Sequence, residues 1–88
     1  ENSVKIMTNE VIWTKIVLER FIELANLSED EEIVIRTRAA GWSRIKQAME
    51  LNLSVSTIDR IISRLKRKYD EVQATDPILP PRQRGVYK

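Results

Sequence analysis

Arg60 and Arg64 stand four residues apart, so a helical segment carries both guanidinium groups on one face. A guanidinium presents five N–H donors in a planar fork, which matches a phosphate or the paired acceptors on the edge of a guanine. Val55, Ser56 and Ser63 share that outward side. Ser54 and Ser56 are small and hydroxylic, and at a helix start they let backbone N–H groups reach an anion. Arg44, Lys46, Arg67 and Lys68 add cations suited to phosphate contact and to salt-dependent binding. Asp59 is the exception on this surface: it either accepts from a cytosine amino group or orients Arg60 or Ser63. The plain alternative is a basic helix that is merely solvated.

Other chemistries lack their residues. Among 88 residues there is no cysteine and no histidine, which removes disulfides, thiolate metal sites, the commonest general base and the commonest metal ligand. There is no glycine-rich phosphate loop, so neither an enzyme nor a bound cofactor or metal is expected. The run Glu29, Asp30, Glu31 and Glu32 is explained by its place in the first turn of a helix, where the helix dipole favours negative charge. Trp13 and Trp42 read as core aromatics rather than stacking platforms. No apolar run approaches the roughly 18 residues of a membrane span, so the expectation is a cytoplasmic protein with no membrane partner.

The net charge of +2 hides an uneven distribution. Residues 1–32 carry eight acids against three bases, whereas residues 44–68 carry seven bases against two acids. Such a split suggests one face directed at a polyanion.

Positioning these residues requires a frame of four helices. Residues 1–7 show no periodicity and read as a flexible arm or an added remnant. Thr8 is a plausible N-cap for a first helix over 9–26, whose apolar residues cover more than one stripe. Ser28 and Glu31 form a capping-box pattern for a second helix over 29–40, closed by Gly41. Ser43 caps a short third helix over 44–51, with Ile45, Ala48 and Met49 at helical spacing. Asn52 tolerates the left-handed turn conformation, Leu53 plugs the turn into the core, and Ser54 opens a fourth helix over 55–75. Ala48 marks the close approach of the third and fourth helices, with Ile58 and Ile61 fastening them together. Ile62, Leu65, Tyr69 and Val72 extend the apolar stripe. They serve either as an oligomer seam or as packing against the first helix of the same chain. Asp76-Pro77 ends the helix, leaving residues 76–88 as an extended Pro/Arg tail. Arg82-Gln83-Arg84 is then either an arm for a minor groove or a disordered end or linker. The resulting fold is all-α: a four-helix, wing-free helix-turn-helix with a long C-terminal recognition helix.

Leu27-Ser28, Glu31, Val34-Ile35, Gly41, Ser43, Leu53-Ser54, Thr57-Ile58 and Arg67-Lys68-Tyr69 stand in this order at the spacing of a known regulatory domain's motifs. In these residues the segment from Leu27 to Tyr69 resembles the GerE/LuxR-type regulatory helix-turn-helix and the related region-four domain of bacterial sigma factors. The resemblance covers about half the chain and implies a bacterial or phage sequence-specific DNA binder whose recognition helix begins near Val55. One departure stands out. Lys46-Gln47-Ala48 replaces the family's E-I-A, putting a glutamine at an apolar packing position, and a small rotation of the third helix would let Ile45 take that place.

The leading expectation is therefore double-stranded DNA binding in transcription regulation, as a homodimer on paired half-sites and with RNA polymerase as a further partner. Two alternatives stand beside it: a phage or mobile-element protein that marks a DNA site for packaging or recombination, and a helical protein-interaction module.

Overall fold

A computed structural model describes the backbone of residues 4–6 and 11–81, with side chains from Trp13 onward. Four helices make up the body: α1 (Lys15–Ala25), α2 (Glu29–Ala39), α3 (Arg44–Leu51) and α4 (Val55–Gln73). Ahead of them, β1 (Val4–Ile6) and β2 (Val11–Trp13) pair antiparallel, with Val4 opposite Trp13 and Ile6 opposite Val11. The architecture is all-α with this short ribbon attached.

The ribbon corrects two expectations. Residues 4–6 belong to a strand rather than to an unstructured arm, and the first helix starts at Lys15 rather than at residue 9. The N-cap is Thr14, whose hydroxyl accepts from the Val17 N–H at 3.3 Å. Thr8 lies outside the described residues. Val11-Ile12-Trp13 is β-branched and aromatic, a composition that favours a pleated surface, and a run of three apolar residues fits a strand and a helix stripe equally well.

The remaining helix ends form where local chemistry directs. Ser28 accepts from the Glu31 N–H at 3.2 Å while the Glu31 carboxylate accepts from the Ser28 N–H at 3.0 Å, a complete capping box. Behind it, Val34 and Ile35 are buried and Ile33 faces outward, so the β-branched run is helical. At the other end Gly41 adopts φ 98°. Its N–H reaches the Arg38 carbonyl at 2.9 Å and the Trp42 N–H reaches that of Thr37 at 3.0 Å, the two bonds of a Schellman closure. Ser43 and Ser54 cap α3 and α4 by accepting from Lys46 and Thr57.

Helix α4 is the centre of the molecule and packs against α1, α2 and α3. Ile58, Ile61, Ile62, Leu65 and Tyr69 are all buried along it. Trp13, Phe21 and Tyr69 form an aromatic cluster with ring centroids 5.2–5.6 Å apart, tilted or edge-on as ring quadrupoles prefer.

The segment after α4 is not an extended tail over its described part. Asp76 is buried, takes both Nε and Nη2 of Arg20 at 2.8 Å on one oxygen, and accepts from the Ile78 N–H at 2.8 Å on the other. Leu79 enters the core and the Tyr69 hydroxyl donates to the Pro80 carbonyl. The basic residues Arg82 and Arg84 lie outside the described residues.

Candidate nucleic-acid interface

Helices α3 and α4 are joined by a turn that depends on one residue. Asn52 takes φ 60°, ψ 44°, the left-handed conformation that asparagine tolerates better than most non-glycine residues, and the Leu53 N–H then closes on the Ala48 carbonyl at 3.0 Å. Ala48 is buried, on a helix that packs against α4.

The orientation of α3 departs from the expectation. Gln47 is fully buried at 0% exposure, whereas Ile45 is 63% and Met49 71% exposed. Ile45 has not rotated inward to replace the glutamine. The amide stays because α2 offers it acceptors: Gln47 Nε2 donates to the Val34 carbonyl at 2.9 Å and to the Thr37 hydroxyl at 2.8 Å. Its Oε1 is buried without a partner among the described residues. Two hydrogen bonds thus offset the desolvation of a group that an apolar site would otherwise reject.

On α4 the buried stripe leaves Val55, Ser56, Arg60, Ser63 and Arg67 facing outward and exposed. Ser54 caps the helix and its hydroxyl also bonds those of Ser56 and Thr57. Among the described residues Arg60 touches the Thr57 hydroxyl, at 3.3 Å, and no carboxylate.

Arg64 and Lys68 are placed otherwise. Arg64 Nε lies 3.1 Å from Glu31 Oε2 and Lys68 Nζ lies 2.7 Å from Glu31 Oε1, so both cations are tied to one buried carboxylate on α2. Burial works to raise the pKa of Glu31, but hydrogen bonds from Lys68, the Ser28 backbone and Arg64 outweigh it and hold the carboxyl at about 2. Arg64 and Lys68 thus each commit a donor to α2 instead of standing free on the outer face. They fasten α4 to α2. Asp59 is likewise engaged, with neither Arg60 nor Ser63 but with Arg44, whose Nη1 lies 2.6 Å from its Oδ1.

Lys46 sits 4.7 Å above the ring of Trp42, which is half-buried at the α2–α3 corner rather than in the core. Trp13, in contrast, is a core aromatic. The proposed oligomer seam is spent inside the monomer: Ile62, Leu65 and Tyr69 are buried in the core and Val72 packs against it. The alternative reading of that stripe, packing within one chain, is the one realised.

One residue of this surface escaped the sequence reading. Arg38, in the last turn of α2, donates from Nη1 to the Trp42 carbonyl at 3.3 Å. A cation at a helix C-terminus is so readily explained by the helix dipole that its position beside Arg44 carries no signal in the sequence.

Among the described residues no helix is long and apolar enough to cross a membrane. Comparison with known proteins brings no relative to bear: no family model, curated protein or solved structure matches the chain.

Proposed function

We propose that the protein binds double-stranded DNA with sequence preference, laying the outer face of α4 in the major groove. The observation that carries this reading is Arg60, an exposed guanidinium without an acidic partner among the described residues, on the outward side of a helix whose opposite side is buried from Ile58 to Tyr69. A helix fixed on one side and presenting an unpaired fork on the other has the form that base-edge recognition needs. Ser54 and Ser56 at its start suit close approach of a phosphate, and Arg67 continues the basic side. The resemblance of residues 27–69 to GerE/LuxR-type regulatory domains supports the same reading and makes transcription control the expected setting.

Roles within the surface are redistributed from those the sequence suggested. Arg60 is the base reader, Arg44 and Lys46 face the backbone, and Arg64 and Lys68 set the pose of α4. Selection of duplexes from a random pool tests the proposal, with a preferred site expected to emerge. Arg60→Ala should then lower discrimination at one base pair by about 1–3 kcal/mol with the helical circular dichroism unchanged. A pool that enriches nothing, or a variant with undiminished preference, would overturn it.

A further inference from the structure

Three cations converge where α2 meets α3: Arg38 from the last turn of α2, Arg44 from the first turn of α3, and Lys46 over the Trp42 ring. The carboxylate whose charge reaches Arg38 is Asp59, and that group is already bound to Arg44 at 2.6 Å. Arg38 itself is poorly served. Among the described residues it spends one of its five N–H donors, on the Trp42 carbonyl, and its Nε is buried with no partner. Burial, and then the charge of Arg44, push its pKa below the ordinary arginine value, with Asp59 pulling the other way. The helix dipole accounts for a cation at the end of α2. It does not account for a half-buried guanidinium set beside a second one with its hydrogen-bonding capacity unspent. An anion at this corner, met by the Nη groups rather than by the buried Nε, would relieve the repulsion between the two guanidinium groups.

We infer that Arg38 and Arg44 together hold one backbone phosphate of a bound duplex, with Lys46 on Trp42 at its margin, as an anchor separate from the outer face of α4. The inference rests on the duplex reading above. Asp59 fixes the position of Arg44, the bond to the Trp42 carbonyl fixes that of Arg38, and the remaining Nη hydrogens of Arg38 meet the phosphate. Such a contact positions the protein without reading sequence.

The test has two arms. In the first, affinity for a mixed-sequence duplex is measured against salt for the wild-type protein and for Arg38→Gln. Losing one phosphate contact should flatten the slope of log K against log salt by about 0.9 and leave the preference for any selected site intact. In the second, the arginine Nε–H resonances of the wild-type protein are followed while inorganic phosphate, and separately the duplex, are added. The Arg38 resonance is expected to move with both. If wild-type protein binds the duplex but the slope is unchanged in Arg38→Gln, the inference falls and the duplex reading survives. If Arg38 responds to phosphate but no duplex binds, the duplex reading falls and takes with it the assignment of the anion to a duplex phosphate. If neither occurs, both fall. Should Arg38→Gln not fold, the wild-type resonance decides alone, and its failure to move on duplex binding overturns the inference.

Discussion

At the scale of single residues, Glu31 has several duties at once. Its carboxylate completes the capping box of α2 and receives Arg64 and Lys68 from α4. A charge this buried is stabilising only while every partner is present. The carboxyl titrates at about 2 in the fold against an ordinary 4.5, so its contribution is fully present above about pH 4.5 and is lost as pH falls toward about 2. Two and a half pH units correspond to roughly 3 kcal/mol, somewhat less because both cationic partners are partly exposed. Urea unfolding of wild-type protein and Glu31→Gln should therefore show a gap on the order of 2–3 kcal/mol at pH 7 that is more than half closed near pH 3. A gap that does not change over that range would show that the bonds around Glu31 contribute nothing linked to its charge. Only the first of these duties was visible in the sequence. The capping box explains Glu31 locally, while its cationic partners lie 33 and 37 residues away, a distance that no helical spacing links.

At the scale of elements, what the sequence revealed was what is local. Ser28 with Glu31, Gly41, Ser43, Asn52 and Ser54 each act within a few residues, and each marks a helix end in the structure. The ribbon was missed because Val11-Ile12-Trp13 acquires its meaning from a partner strand at Val4–Ile6. The pose of α3 was missed because a glutamine in a core position is judged by its partners, which here are Val34 and Thr37 on another helix. That arrangement makes a prediction of its own. Gln47→Met keeps volume and removes a buried amide whose oxygen lacks a partner; Val34 and Thr37 retain their bonds within α2, so stability should change by less than about 1.5 kcal/mol. Gln47→Glu is isosteric but buries a carboxylate with one hydroxyl for company, and should cost about 3 kcal/mol or more at pH 7, with recovery below pH 5 as it protonates. Thermal or chemical denaturation of the two variants at both pH values checks this. A tolerant Gln47→Glu would mean that α3 turns on its axis to release the side chain, and the outward orientation of Ile45 and Met49 would then also be negotiable.

At the scale of the whole molecule, α4 divides its labour along its length. Val55 and Tyr69 are fourteen residues apart, or about 21 Å along a helix axis. The first turns present the outward face, while the later turns are held by the aromatic cluster and by the segment that follows the helix. Trp13 from the ribbon, Phe21 from α1, Tyr69 from α4 and Leu79 from the closing segment share one core, with Asp76 pinned to Arg20 beside it. This end of the molecule therefore supplies stability without belonging to the proposed interface. Leu79→Ala removes a side chain that is 2% exposed and should cost about 2–4 kcal/mol in urea unfolding. At a temperature where both proteins remain folded, duplex affinity should stay within about twofold of wild type, because additivity holds for sites this far apart. A folded Leu79→Ala protein whose affinity drops tenfold would show that the closing segment lies against the nucleic acid. The interface would then have to be redrawn to include the end of α4 that is here assigned to the core.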